Sequence, residues 1–320
     1  MEATPFTGSD AEITAISKLW AKIFPDWSIE QERFARLLKQ DGGHHVIHPH
    51  GFCIGQLSGH TAMISAIGVQ EEHRKKGLGT KLMRETYRLI GEKVSAGTEI
   101  KFSIKSGFPR FWSGVPKDIM KLSKGFFIKQ GFSILKEPTD RDYFRSITTS
   151  IATPELEAKV AKLPLTFAPL TPAGYAECIA KQHANFGHNA AWVAAYTALA
   201  SRNLHHDIMV AYSPTGSQIG WTIMASPSDI LCQNFAFMPL SPSGENTGLI
   251  ACVGVAKEGR SKGVGTAMIL AAMRSMKERG IDGVFIDSAI IVGFYESLGY
   301  EIIFEYEKFG TLMTPPKCMT

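Results

Sequence analysis

The chain has 320 residues, 44% of them hydrophobic and 20% charged, with a formal net charge of +4. These are the values of a globular protein with room for two domains of ordinary size, each able to bury a core. The mild positive charge suits an anionic cofactor and does not by itself argue for nucleic acid. No apolar run approaches membrane-spanning length, and the start, Met1-Glu2-Ala3-Thr4-Pro5, has no signal-peptide character. Five scattered cysteines without metal spacing read as reduced thiols, so the expected location is cytoplasmic.

Apolar residues at helical spacing from Asp10 to Lys39, with Pro25 between them, predict two helices. His45 to Leu57 reads as two short strands around His48-Pro49-His50-Gly51, and Met63 to Val69 as a further strand. A helix follows with Leu82, Met83, Tyr87 and Ile90 on its buried face, then a strand from Ile100 to Ile104. Residues 1–150 form the first domain of this reading. Residues 151–164, in a stretch rich in small residues and prolines, form a linker, and residues 165–320 form the second domain. That domain restarts with Leu165-Thr166-Phe167-Ala168 and a helix start at Thr171-Pro172, followed by helices over Ala173–Ala184 and Ala190–Ser201 and strands over Ile208–Tyr212 and Gln218–Ala225. A long insertion spans Pro227–Asn246. The strands Gly248–Val255 and Gly283–Asp287 flank the last long helix.

One motif occurs twice. Val69 is followed by Arg74-Lys75-Lys76-Gly77-Leu78-Gly79-Thr80, and Val255 by Arg260-Ser261-Lys262-Gly263-Val264-Gly265-Thr266. The copies stand 186 residues apart without a gap, and the helical stripe behind the first recurs as Met268, Ile269, Met273 and Met276. A strand that ends in a glycine-rich turn and opens a helix aims several unpartnered amides at one spot, where the helix dipole adds positive charge. A pyrophosphate suits such a spot. The Walker spacing and the dinucleotide fingerprint are both absent. The bland alternative is a tight turn with a solvated basic rim.

The doubled Arg-x-x-Gly-x-Gly turn resembles the pyrophosphate signature of the GCN5-related N-acetyltransferase superfamily. The later segments Phe294-Tyr295-Glu296-Ser297-Leu298-Gly299-Tyr300 and Phe126-Phe127-Ile128-Lys129-Gln130-Gly131-Phe132 resemble that family's last conserved element. The resemblance covers nearly the whole chain. It implies an α/β fold with two tandem domains, each a twisted mixed sheet flanked by helices. It also implies acetyl-CoA as cofactor, held by the 260–266 turn, and in the first half by the 74–80 turn if that half binds it. Two neighbouring strands, Leu249–Val255 and Val284–Asp287, would splay around the pantetheine arm, with the backbone of Val253 and Val255 pairing with its amides. Tyr295 sits where the family's general acid sits, and Phe127 has no hydroxyl, so the second half is the expected catalytic one. Tyr295 as a core aromatic with a satisfied hydroxyl is the competing reading.

Asp287, closing an apolar strand, is the candidate base, with a helix N-cap as its other reading. Glu245, His188, His205 and Asp207 are weaker candidates, and no metal site is expected. Cys252 reads as a small buried hydrophobe rather than a nucleophile. The loop Gly107–Pro116 crowds aromatic residues with proline and glycine, so Arg110, Phe111 and Trp112 are candidate acceptor-binding residues, or else a plug between the domains. Its Phe111-Trp112-Ser113-Gly114-Val115-Pro116 resembles a loop of tandem acetyltransferases acting on glucosamine and glucosaminides, with Ser113 where Pro is usual. The second-half strands resemble the acetyltransferase domain that fungi fuse to N-acetylglucosaminidase-like domains, with Ser288 where Trp would follow Asp287. The expected reaction is acetyl transfer to the amine of an amino sugar. Another small amine (polyamine, antibiotic or amino acid) and a non-catalytic acyl-CoA or amino-sugar sensor remain open. Neither a nucleic acid nor a membrane is an expected partner.

Overall fold

A computed structural model describes residues 2–95 and 97–313; Cys318 lies outside them. The first helix, Asp10–Ile23, opens on a capping box in which Ser9 accepts from the Glu12 amide and the Glu12 carboxylate reaches back. It buries Ile13, Ile16, Leu19 and Trp20. The chain then turns through the Phe24–Pro25 region into Gln31–Leu38, as the proline predicts.

Two mixed sheets follow. The first runs, in spatial order, Thr4–Pro5, Val46–His48, Gly51–Ser58, Thr61–Val69, Ile100–Ile104, Phe309–Met313, Ser133–Ile134. The second runs Val115–Pro116, Glu301–Glu307, Asp140–Ser146, Gly283–Ala289, Thr247–Val255, Gln218–Ala225, Ile208–Tyr212, Thr166–Pro169. Leu78–Gly91 packs on the first sheet and Val264–Glu278 on the second. Each helix carries its predicted apolar stripe into the core.

Chain order and sheet membership part at two places. Asp140–Ser146, read as first-half sequence, lies in the middle of the second sheet, paired antiparallel with Gly283–Ala289 and Glu301–Glu307. Phe309–Met313, at the far end of the second half, lies in the first sheet between Ile100–Ile104 and Ser133–Ile134. The 151–164 linker carries a short helix, Pro154–Val160, capped by Thr153.

An aromatic core joins the halves. Trp20 stacks on Trp112 at 5.0 Å, Trp27 meets Phe237 at 4.7 Å, and Phe111 and Tyr306 are sealed into the same cluster. Beside it Arg33, 1% exposed, donates from Nη1 to the carbonyls of Cys232 at 2.8 Å and Phe235 at 2.9 Å. It fixes the 227–246 insertion to the second helix. Arg33→Met removes two charge-assisted bonds and leaves both carbonyls buried. We expect a loss on the order of 3 kcal/mol of stability, read as a lower denaturant midpoint. An unchanged midpoint would show that the clamp carries no energy.

Candidate active site

Both turns fold alike because both carry the same backbone demands. Gly77 and Gly263 precede their helices at φ 82° and 78°, a left-handed conformation that suits glycine. Lys75 and Ser261 adopt φ 58° and 59° two residues earlier. In each copy the arginine Nε donates back to the carbonyl of the last strand residue, Arg74 to Val69 at 2.9 Å and Arg260 to Val255 at 3.0 Å. One role of the arginine is therefore to brace the turn. Among the described residues, no protein group accepts from the amides of residues 75–80 or 261–266, apart from bonds inside the helices. Both turns thus meet the requirement for seating a pyrophosphate. A cavity of about 320 Å³ opens at the first, lined by His48, His73, Lys76, Gly77, Leu78 and Lys81.

The strands beside the second turn part as the resemblance implies. Thr247–Leu249 pair in parallel with Gly283–Phe285, and there the pairing stops, leaving Ile250–Val255 without a partner on that side. The backbone of Val253 and Val255 is thereby open for strand addition. A bulge at Cys252, φ 51°, bends the strand further. The first sheet splits likewise after Ile64. Cys252 is partly buried, and burial pushes its thiol up to about 12, which removes the thiolate a nucleophile needs.

Tyr295 lies on a turn leading into a single 3₁₀ turn, Glu296–Leu298. Its ring packs 5.3 Å from Tyr143 and 5.9 Å from Tyr300. Its hydroxyl has no hydrogen-bond partner among the described residues, yet it is not one of the sealed, unpartnered polar atoms. Burial, with Tyr143 beside it, pushes the phenol up to about 12, so it holds its proton at neutral pH. Phe127 instead packs against Phe126, Phe132 and Phe309 in the first-half core.

Asp287 is not a helix cap. The strand runs on to Ala289, and a bulge places both Asp287 and Ser288, the latter at φ 49°, opposite Asp142. The bulge amide of Ser288 donates to Asp142 Oδ1 at 2.8 Å, and Tyr306 Oη donates to Asp142 Oδ2 at 2.6 Å. Asp287 Oδ2 meets Arg110 Nη1 at 3.0 Å. Burial raises the proton affinity of Asp287, which Arg110 opposes. Asp142 lies on a strand that no sequence pattern predicts. Its Asp-Arg-Asp start carries no apolar alternation, so hydrophobic periodicity gives no signal there. By strand register the first-half counterpart of Asp287 is Lys105.

The 107–116 loop serves as a plug. Phe111 and Trp112 are 4% and 3% exposed within the aromatic core, which corrects the expectation that they present faces to an acceptor. Their size and apolarity drew them into the joint between the halves. Arg110 alone reaches the site. Its amide donates to the Asn234 carbonyl at 2.7 Å, and its carbonyl accepts from Ala236 at 2.9 Å. The weaker candidates lie elsewhere. Asp207 pairs with Arg279, the His205 ring packs on Tyr175, Glu245 approaches Arg33, and His188 is exposed. No group of three or more metal-ligating side chains occurs among the described residues. None of the described helices is long and apolar enough to cross a membrane.

Two mixed sheets, each split beside a left-handed turn that opens a helix, define a tandem α/β protein. The chain belongs to the acetyltransferase (GNAT) family, whose profile matches residues 12–102 and 171–300. Solved structures of low identity share its fold. A glucosamine N-acetyltransferase region of a fungal multi-domain GH3 beta-N-acetylglucosaminidase is 22% identical with a TM-score of 0.83, over 97% of this chain and 38% of that one. This chain thus spans well under half of that protein. A GCN5-related N-acetyltransferase from Sphaerobacter thermophilus is 14% identical with a TM-score of 0.72, over 98% and 96% of the two chains. A tandem GNAT protein from the clavulanic acid biosynthesis pathway is 15% identical with a TM-score of 0.63, over 99% of each. No curated protein matches by sequence.

Proposed function

We propose that the chain is an acetyl-CoA-dependent N-acetyltransferase whose second half carries the chemistry and whose acceptor is the amine of an amino sugar, glucosamine or a terminal glucosaminide. One observation carries the assignment to the second half. The second half alone combines a carboxylate beside the strand split with a tyrosine, Tyr295, whose hydroxyl is neither hydrogen-bonded nor sealed, where the first half has Lys105 and Phe127. The amides of residues 261–266 and the backbone of Val253 and Val255 are the groups suited to hold acetyl-CoA, which when bound supplies an activated acyl thioester. Asp287 takes the proton of the acceptor ammonium, leaving a neutral amine. Tyr295 holds a proton at Oη for the leaving side. Arg110, paired with Asp287, fixes the carboxylate and offers a donor to an acceptor hydroxyl. The fold-level likeness to a region named as a glucosamine N-acetyltransferase supports the sugar. The burial of Phe111 and Trp112 favours a second acceptor class, small amines without a ring to stack.

Turnover of acetyl-CoA against a panel of amines tests the acceptor. Activity confined to peptides or polyamines removes the amino sugar, and no transfer in a single turnover leaves a sensor. Tyr295→Phe is expected to lower kcat about 10²-fold while acetyl-CoA binding stays within a few-fold. An unchanged kcat takes Tyr295 out of the mechanism.

A further inference from the structure

Asp142 is buried, ionisable and placed directly behind Asp287, on a strand of first-half sequence set into the second sheet. We propose that Asp142 and Asp287 form one coupled carboxyl pair, in which Asp142 is a positioning residue that keeps the second proton, so that the pair offers a single negative charge, at Asp287, to a cationic primary amine. The inference rests on Asp287 being the base.

The strand register places Asp142 opposite the Asp287–Ser288 bulge, on the neighbouring strand of the same sheet. Two like charges at such range, out of water, do not both ionise readily. The surroundings divide the roles. Asp142 is 4% exposed, and both its oxygens already accept, from Ser288 N and Tyr306 Oη. It has no route to a substrate. Asp287 is the more open partner, at 14% side-chain exposure, and its remaining contact is Arg110. Other charges are arranged around the pair. Asp140, next on the Asp142 face of its strand, is neutralised by Lys308 at 3.2 Å, and Lys105 lies near Asp140 and Arg110. Cys252, on the Thr247–Val255 strand, is held protonated by burial and by the Asp287 charge. Arg110 is thus the cation that pairs with the dyad.

Burial first, and then the Asp287 charge, push Asp142 up to about 8. Near neutrality the pair therefore carries one proton and one negative charge. That charge receives one ammonium. In the proton transfer an N–H bond of the ammonium breaks and an O–H bond forms on the Asp287 carboxylate. The amine nitrogen keeps its electron pair, and no other bond changes. Because Asp287 already carries the negative charge, Asp142 beside it keeps its own proton, and the acceptor meets one anion rather than two.

Two readouts test this, one of them independent of turnover. Carbon-13 shifts of labelled aspartate carboxyls in the free protein should show a two-step titration, with one step near or above neutrality. In Asp142→Asn that upper step should vanish, leaving the single lower step of Asp287. An inflection of kcat/KM at that upper step should vanish with it, while the acid limb, set by Asp287, stays in place. The asparagine side chain can still accept from Ser288 and meet Tyr306, so the fold should survive. Stability should follow the same titration. A carboxyl whose affinity rises on folding stabilises the fold at low pH, and that contribution is lost as pH climbs from the ordinary aspartate range to about 8. Asp142→Asn should flatten that decline.

Should Asp142→Asn not fold, Tyr306→Phe removes a donor to the ionised form and should move the upper step to higher pH. An upper step unmoved in either folded variant overturns the pair. Full activity in Asp287→Asn, with the wild-type pH profile, instead overturns Asp287 as base. A collapse of Asp287→Asn with no shift in Asp142→Asn overturns the pair alone.

Discussion

Asp287→Asn should lower kcat/KM for amine acetylation about 10²- to 10⁴-fold, the range that loss of a positioned base commonly produces. The carboxylate sits at the point where Thr247–Val255 and Gly283–Ala289 stop pairing, and it is the open member of a buried pair. Asparagine keeps the size and an oxygen toward Arg110 but cannot take a proton. The turn at residues 260–266 is a separate structure braced by Arg260, so acetyl-CoA binding should hardly change. The pH dependence carries the sign. Burial raises the affinity of Asp287 for a proton, so the wild-type rate should fall as pH drops and the carboxylate fills. The residual rate of the variant should lose that carboxylate-dependent limb. Binding isotherms for acetyl-CoA beside initial rates across pH distinguish the cases. A variant with wild-type kcat/KM would leave water or the bulk solvent as the base.

How far the sequence reached depended on the kind of signal. The turns were legible because their demand is local: glycine at φ near +80° and a strand before a helix leave a mark within ten residues. The helix Asp10–Ile23 was legible from its apolar spacing and the proline beyond its end. The strand exchange was not legible. Asp140–Ser146 joins a sheet whose other strands lie far along the chain, and two of its alternating positions carry carboxylates that only tertiary partners explain. The same blindness hid Asp142 while Asp287 was visible, since Asp287 ends an obvious apolar run. The loop at residues 107–116 misled in a further way. Phe111 and Trp112 looked like a sugar platform because nothing local showed that Trp20, Trp27 and Phe237 would converge on them. Composition identifies an aromatic surface but not which surface covers it.

That exchange yields the second large effect. Chains of residues 1–164 and 165–320 made separately should each fail to fold to a native state, and both together should reassemble into an active 1:1 complex. The second sheet without Asp140–Ser146 would leave Gly283–Ala289 and Glu301–Glu307 with open edges in its middle. The first sheet without Phe309–Met313 would separate Ile100–Ile104 from Ser133–Ile134. Tyr143, Phe144 and Phe309 are 0%, 5% and 1% exposed in the intact chain. Burying each such side chain contributes about 1.5–3 kcal/mol, which together with the lost ladder bonds rivals the roughly 5–15 kcal/mol that holds a domain folded. Unpaired edges of this length also favour aggregation. Asp142 leaves with its strand, so any residual fold of the second fragment would lack half of the carboxylate pair. Sedimentation, near-UV circular dichroism and acetyl-CoA turnover on each fragment and on the mixture would read the outcome. A soluble 165–320 fragment that unfolds cooperatively and acetylates an amine at the intact rate would show that the exchanged strand is dispensable, and with it the contribution of Asp142.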